Sequence, residues 1–524
     1  MHSCILKANK FACFIFILFV FLPQYLLFSQ EAVSTEILAR VLDSKTNIPI
    51  VFATVLLKDN GNGVVTDRDG YFRLPNKYKL EGEQISISSI GYSTKTIAVS
   101  KLDSNIINTI LLNPKTEALQ GVVLSANSSS NGRTSLKPEE IVRKAIQRIP
   151  SNCPTDPYSY IAYYRDYQLF RDDYINLNEA LVEVFDTGYN SDKITDAYNQ
   201  TSLIEYKENN EFKRDTIWSS KYDNSGQKFI KDAKISALGG NELSILNLHD
   251  PIRNRSRNSF SFVNTLKKDF LENHRFKLEG VAYRNDVPIY HISFNTKYEK
   301  IKSRYAAQGA IYIGKETFSI YKFSYKGFER HAYDPLYNLE LEYLPKGGKM
   351  VLNYISFNNN FQVRSRDNFK IDSILLDKNE NAFFITFNNA LKASSIGNLR
   401  NYRFIYKKRK LKISNATQAG PKSIKVTLIN GTIPELGNLD EKVMSNVNYR
   451  IKNIEDSFGR KLGKLNMTTI NQFREMFVQK VFMGKALPLH GQFINKKSSL
   501  SNTEKVNFKT KSDYWVNTPL KLIK

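Results

Sequence analysis

Residues 37–74 read ILARVLDSKTNIPIVFATVLLKDNGNGVVTDRDGYFRL, and the fold class follows from them. Runs rich in β-branched and aromatic residues, at 37–42, 50–57, 64–66 and 71–74, are cut by clusters of Asn, Asp and Gly. Asp59-Asn60-Gly61-Asn62-Gly63 and Asp67-Arg68-Asp69-Gly70 supply residues that tolerate positive φ, so both are turns. Further runs follow at 85–88, 94–99 and 106–112. Seven short strands at this spacing predict a small β-sandwich over 34–113. Asp67 and Asp69 are a conceivable Ca²⁺ pair, but shaping the tight turn is the favoured role.

Upstream, Lys7 and Lys10 precede an apolar run at 11–22, then Pro23 and a polar Ser29-Gln30-Glu31. That order is a secretory signal over 1–30. The 12-residue run is shorter than the ~20 needed to span a bilayer core. The protein is therefore expected in the periplasm or at the outer membrane and cell surface. Cys4 and Cys13 fall inside the signal, leaving Cys153 without an intramolecular partner. Its Ser-Asn-Cys-Pro setting reads as a turn, and a structural role is favoured over nucleophilic catalysis. The chain has 524 residues, 41% of them hydrophobic, which excludes disorder for its bulk and suggests three or four units.

The 37–74 stretch, continued by ISISSIGYSTKTIAV, resembles the carboxypeptidase-regulatory-like domain of exported Bacteroidota proteins. Pro49, Ala53, Val55, Thr66, Asp67, Gly70, Phe72, Gly91 and Tyr92 carry the match. The resemblance implies an accessory module rather than a peptidase. None of His249, His274, His291, His331 or His490 is followed three residues later by Glu, so the usual zinc step of a carboxypeptidase is missing. No metal site, cofactor or catalytic residue is assigned.

Residues 114–136 read as a linker, with SANSSSNGRTS at 125–135 its most flexible part. A central β-rich domain is expected over 137–370. It opens on a helix begun by Pro138-Glu139-Glu140, carrying an apolar stripe of Ile141, Val142, Ala145, Ile146 and Ile149, and ended by Pro150. Aromatic-rich extended runs follow at 160–170, 175–185, 288–295, 309–313, 318–325, 339–343 and 350–357. Lys346-Gly347-Gly348-Lys349 is a hairpin turn between the last two. The pattern predicts a large antiparallel sheet covered by the helix. IVRKAIQRIPSNCPTDPYSYIAYYRDYQ and YINLNEALVEVF resemble the region that follows the regulatory-like module in Bacteroidota. GAIYIGKETFSIYKFSY is similar to strands of lipoprotein-carrier and lipid-binding half-barrels, which implies a lipid or lipidated ligand.

Charged residues inside these apolar runs are the candidate binding residues: Arg165, Glu179, Arg474 and Glu475. Arg165-Asp166 and Arg474-Glu475 are open to buried ion pairs or ligand contacts, with surface or packing roles favoured. Glu179 and Glu183 on one strand would stand ~13 Å apart, too far for paired-carboxylate glycosidase chemistry. Nucleophile-elbow, phosphate-loop and HExxH motifs are missing.

Short runs recur at 382–387, 402–406, 411–414, 423–428 and 449–454. With Phe387, Asn388, Leu391, Tyr402, Val426, Leu428, Tyr449, Ile454, Asp456 and Gly459, they resemble the bacterial Ig-like repeat of surface-layer proteins. The expectation is an Ig-like domain at 371–466 inserted into the central domain, which resumes at 467–524. Lys+Arg 75 against Asp+Glu 51 gives +24, with Lys407-Lys408-Arg409-Lys410 the densest cluster. Export argues against nucleic acid, so an envelope protein, an acidic glycan or a lipid is the better partner, peripheral membrane association is compatible, and a solvated basic surface with no dedicated partner is the default. The expected function is a non-catalytic envelope protein built from binding modules. The alternatives are a lipid- or lipoprotein-binding half-barrel and a peptide or glycan hydrolase.

Overall fold

The computed structural model describes residues 36–520 except 60, 119–135, 171–172, 193, 195–197, 215–227, 230–241, 257–265, 301–303, 332–333, 365–367, 431–445, 465–466 and 496–497. The expected signal at 1–30 and the Ser/Asn/Gly-rich part of the linker lie outside these residues. The chain is mainly β, as its sequence pattern predicts.

All seven strands expected at the start are present: β1 (Glu36–Asp43), β2 (Thr54–Leu57), β3 (Gly63–Val65), β4 (Tyr71–Pro75), β5 (Gln84–Ser88), β6 (Lys95–Ala98) and β7 (Ile107–Leu112). They form two sheets, ordered β4-β1-β7 and β3-β2-β5-β6. β1 alternates strictly, with Ile37, Ala39 and Val41 inward against Val55, Phe72, Ile85 and Ile87. Asp67 Oδ1 accepts the backbone N–H groups of Asp69 and Tyr71, which gives the aspartate its turn-forming role. Gly70 closes that turn at φ 79°, where a Cβ would lie 2.6 Å from the Val41 carbonyl.

A single large antiparallel sheet follows. Its strands are β8 (Thr116–Ala118), β9 (Tyr158–Phe170), β10 (Asp173–Asp186), β11 (Thr201–Glu208), β12 (Lys228–Phe229), β13 (His274–Arg284), β14 (Val287–Thr296), β15 (Tyr305–Gly314), β16 (Ile320–Glu329), β17 (Tyr337–Lys346), β18 (Lys349–Arg364) and β26 (Met467–Met483). The order is β11-β10-β9-β26-β18-β17-β16-β15-β14-β13-β8, with β12 on β18. β8 corrects one expectation, because three residues of the assumed linker pair with β13 as the edge strand. The β17–β18 hairpin turns on Gly347 and Gly348, both at positive φ, as that dipeptide predicts. Phe318 does not open a strand. It sits in a turn at φ 57°, and β16 starts two residues later.

The covering helix spans Pro138–Asn152 and buries the expected stripe. It continues past Pro150 because a proline this close to the end removes only one hydrogen bond, and the Cys153 N–H still reaches the Ile149 carbonyl. Between β18 and β26, which pair directly, the chain makes a second small sandwich. Its strands are β19 (Ile371–Asp377), β20 (Ala382–Phe387), β21 (Tyr402–Tyr406), β22 (Arg409–Lys410), β23 (Ile413–Gly420), β24 (Ser423–Leu428) and β25 (Val447–Ile451). Two sheets, β19-β20-β24-β23 and β22-β21-β25, enclose a core that includes Phe383, Phe387, Phe404 and Val426.

Both faces of the large sheet are covered. On one face, the Pro138–Asn152 helix packs over β13 and β15 and the Leu243–His249 helix over β18 and β26, in one core with Tyr160, Ala162, Tyr164, Val182 and Met476. On the other, Ile161, Tyr163, Leu181, Tyr354 and Phe477 meet Phe52 and Val65 of the first sandwich. Phe52 holds φ 58°, a costly conformation for an aromatic residue. Its ring lands 4.8 Å from Tyr354 and 5.9 Å from Phe477, so that burial offsets the strain.

Candidate functional site

Three of the four candidate residues meet on the face that carries the first sandwich. Arg165 on β9 is opposite Glu179 on β10 and Glu475 on β26, so the three side chains form one row across three strands. Arg165 Nε donates to Glu475 Oε2 at 2.6 Å, and both side chains are fully buried. Glu475 also accepts the hydroxyls of Tyr167 and Ser356. Glu179 accepts Tyr163 Oη at 2.5 Å, Asn209 Nδ2 at 2.8 Å and Thr518 Oγ1 at 3.1 Å. Arg474 points to the opposite face, donating to Glu242 at 2.7 Å and to Asn359 Oδ1 at 2.6 Å. These four residues are buried and committed to partners inside the protein. Glu183, the second half of the weighed carboxylate pair, holds Ser159 and Lys485.

The cavity of the sheet lies elsewhere, on the helix face at the start of β9 and the end of β10. It has a volume of about 390 Å³, and none of the four candidates lines it. Tyr160, Leu243, Leu246, Leu352 and Met476 supply apolar wall. The polar end is built from two linked groups. Arg253 grips Asp186 with Nε at 2.8 Å and Nη2 at 3.0 Å. Tyr189 and Tyr343 share a hydroxyl contact at 2.7 Å, and Tyr343 donates to Asp250 Oδ2 at 2.7 Å. Burial pushes the Asp250 carboxyl up, against the Tyr343 hydroxyl and two backbone amides that favour its charge. Ser244 is among the residues around the cavity, with its Oγ buried and without a hydrogen-bond partner among the described residues. Sequence reasoning missed these residues. Asp250-Pro251 reads locally as a turn, and nothing in the text links it to Asp186 or Tyr343.

The rest of the helix face is solid. Phe270, Phe294, Phe323, Tyr325, Tyr337 and Phe357 run ring to ring across the sheet at 4.9–6.2 Å. Cys153 is buried beneath the same helix, and burial pushes its thiol up, which makes it a poor nucleophile. Among the described residues, no three His, Cys, Asp or Glu side chains converge as a metal site.

Two buried histidines set an acid limit. His249 and His274 each place Nδ1 against a carbonyl four residues back, at 2.8 and 2.9 Å, while Nε2 has no partner among the described residues. Burial lowers both to about 4 from an ordinary 6.5. The unfolded chain takes up these protons first, so each neutral ring contributes about 3 kcal/mol that is present above pH 6.5 and lost as pH falls through 4. Asp67 works oppositely: burial raises it to about 6, which favours the folded state as pH falls from 6 toward 4. Urea unfolding at pH 7 and pH 4 isolates one histidine. His274→Gln is expected to lose about 3 kcal/mol less than the wild type between these pH values. Equal losses in the two proteins would refute the assignment.

A family model described as a CarboxypepD_reg-like domain matches residues 39–124, which covers the first sandwich and β8. No curated protein matches the chain. Two solved structures are similar at low scores. A DUF1329 family protein from Desulfovibrio piger has 6% identity and a TM-score of 0.23, over 43% of this chain and 87% of its own. A putative outer membrane lipoprotein-sorting protein domain from Vibrio parahaemolyticus has 10% identity and a TM-score of 0.21, over 42% of this chain and 86% of its own. At such scores neither likeness carries weight for fold or function.

Proposed function

We propose that the protein is a non-catalytic binding protein of the cell envelope, whose large sheet holds a small amphipathic ligand between its helix face and the Leu243–His249 helix. The observation that carries this reading is the cavity of about 390 Å³, with leucines and Met476 in its wall and the Asp186–Arg253 and Tyr343–Asp250 groups at its polar end. Ligand cavities run from about 300 to 1,000 Å³, so this one suits a single chain or ring system rather than a whole phospholipid. Its leucines and Met476 would take the apolar part, and the Asp186–Arg253 end would take the polar head. Binding is favoured over hydrolysis because Asp186 is clamped by Arg253, and Asp250 is held by Tyr343 and by the amides of Ile252 and Arg253. The envelope location rests on the signal-like order of Lys7, Lys10 and the apolar run at 11–22. The regulatory-like and Ig-like modules would present the ligand-binding sheet to envelope partners.

Native mass spectrometry of the full chain from its own cells tests the reading, with a medium-chain fatty acid as the added probe. A copurifying small molecule is expected, or stabilisation by about 2.7 kcal/mol at a probe concentration of 100 Kd. Leu246→Trp, which fills the cavity, should abolish either signal while the circular dichroism spectrum is retained. A chain that carries no ligand and gains no stability would overturn the proposal, as would recovery of the protein in the cytosolic fraction.

A further inference from the structure

The inserted sandwich carries a second concave surface, unlike the first in every chemical respect. A groove of about 750 Å³ lies between β21, β25 and the start of β23. Arg400, Arg403, Lys410, Lys412, Arg450 and Lys452 line it, all exposed, and among the described residues its lining contains no Asp or Glu. Arg403 and Arg450 stand directly opposite each other across the β21–β25 ladder. Facing like charges some 4.5–5.5 Å apart at Cβ destabilise a sheet. Lys410 lies opposite Ile405, two residues along the same face of β21 from Arg403. The sandwich has acids with which to neutralise such charges and uses them elsewhere, in Lys392–Glu455, Lys425–Glu380 and Arg460–Asp456. None of the six groove cations forms an ion pair among the described residues.

We propose that this groove binds an acidic glycan, a polysaccharide chain bearing carboxylate or phosphate groups. A cleft of one sign focuses its field and concentrates counter-ions of the opposite sign, and fixed guanidinium pairs suit carboxylate and phosphate geometry. Leu399 and Ile429, 37% and 46% exposed, flank the cations and offer apolar contact to the C–H faces of sugar rings. Single-stranded nucleic acid is the poorer fit because base stacking needs exposed rings. The one aromatic residue in the lining, Tyr402, is 3% exposed, with its hydroxyl spent on the Ile396 carbonyl. A membrane surface is also a poorer fit, since a flat headgroup plane reaches only the rim of a groove.

The test uses the full chain and polygalacturonate, with neutral dextran, single-stranded DNA and anionic phosphatidylglycerol vesicles as comparison probes. Polygalacturonate should bind with an affinity that falls as salt rises, and dextran should not bind. Arg403→Glu with Arg450→Glu is expected to weaken polygalacturonate binding by about tenfold or more, at unchanged thermal stability. Lys407→Glu with Lys408→Glu makes the same charge change outside the groove and should cost about threefold at most. Equal losses in the two double variants would reduce the effect to net charge and overturn the site. Tighter binding of DNA or vesicles than of polygalacturonate would overturn the ligand class, and no binding of polygalacturonate would overturn both.

Discussion

Glu475→Ala is expected to destabilise the protein by about 3–5 kcal/mol, because it leaves Arg165 as an uncompensated charge in a fully buried place. Few other partners remain to Arg165. Nη1 reaches the Asn517 carbonyl at 3.4 Å, Nη2 has no hydrogen bond among the described residues, and Asp67 is the other carboxylate that attracts the guanidinium. The rings of Phe477 and Tyr167, 5.2 and 5.5 Å from the guanidinium carbon, add cation–π attraction that cannot replace a carboxylate. The pair as a whole is a different matter. Its mutual attraction only repays desolvation, so Arg165→Met with Glu475→Met should recover most of the loss. Urea unfolding of the single and double variants decides this. A loss below about 1 kcal/mol in Glu475→Ala, or a double variant as unstable as the single, would show that the row is not an isolated buried ion pair.

The same residues show where sequence reading reaches and where it stops. A charged side chain in YSYIAYYRDYQ or QFREMFVQ stands out because its neighbours are apolar and aromatic, so buried pairing was readable as one role among several, behind a surface or packing role. The identity of the partners was not. Arg165 and Glu475 are 310 positions apart, and they meet only because β26 returns beside β9 after the second sandwich. Local signals worked for the first sandwich, where each turn lies within a few residues of the strands it joins. They failed for β8, three residues held only as the edge partner of β13, and for β13, whose pairing is mainly with β14. The cavity was illegible for a related reason. Its walls come mainly from β9, β10, β17, β18, β26 and a short helix, and their apolar residues read equally well as ordinary core.

Trp515→Ala should have an effect of similar size, about 3–5 kcal/mol, but by loosening the seam between the first sandwich and the large sheet. The segment around Trp515 is threaded between the two. The indole is buried in the sandwich core, 5.5 Å from the Tyr78 ring, and donates through Nε1 to the Arg73 carbonyl at 2.9 Å. Gln479 of β26 brackets its backbone from the other side, donating to the Trp515 carbonyl at 2.6 Å. Asn517 accepts the Arg73 amide and donates to the Val65 carbonyl, while Thr518 donates to Glu179. Arg73 Nε returns a bond of 2.6 Å to the Thr518 carbonyl. Removal of the indole therefore opens a void in the sandwich core and releases the residues that tie β4 to β9, β10 and β26. Asn517→Ala separates these effects, since it cuts the ties without emptying the core. Amide hydrogen exchange is expected to rise at Val65, Arg73 and Ile161 in both variants, and at Ile37 and Ile85 in Trp515→Ala alone. Unchanged exchange at Val65 and Ile161 in Asn517→Ala would mean that Phe52 and its ring contacts hold the sandwich without the C-terminal segment.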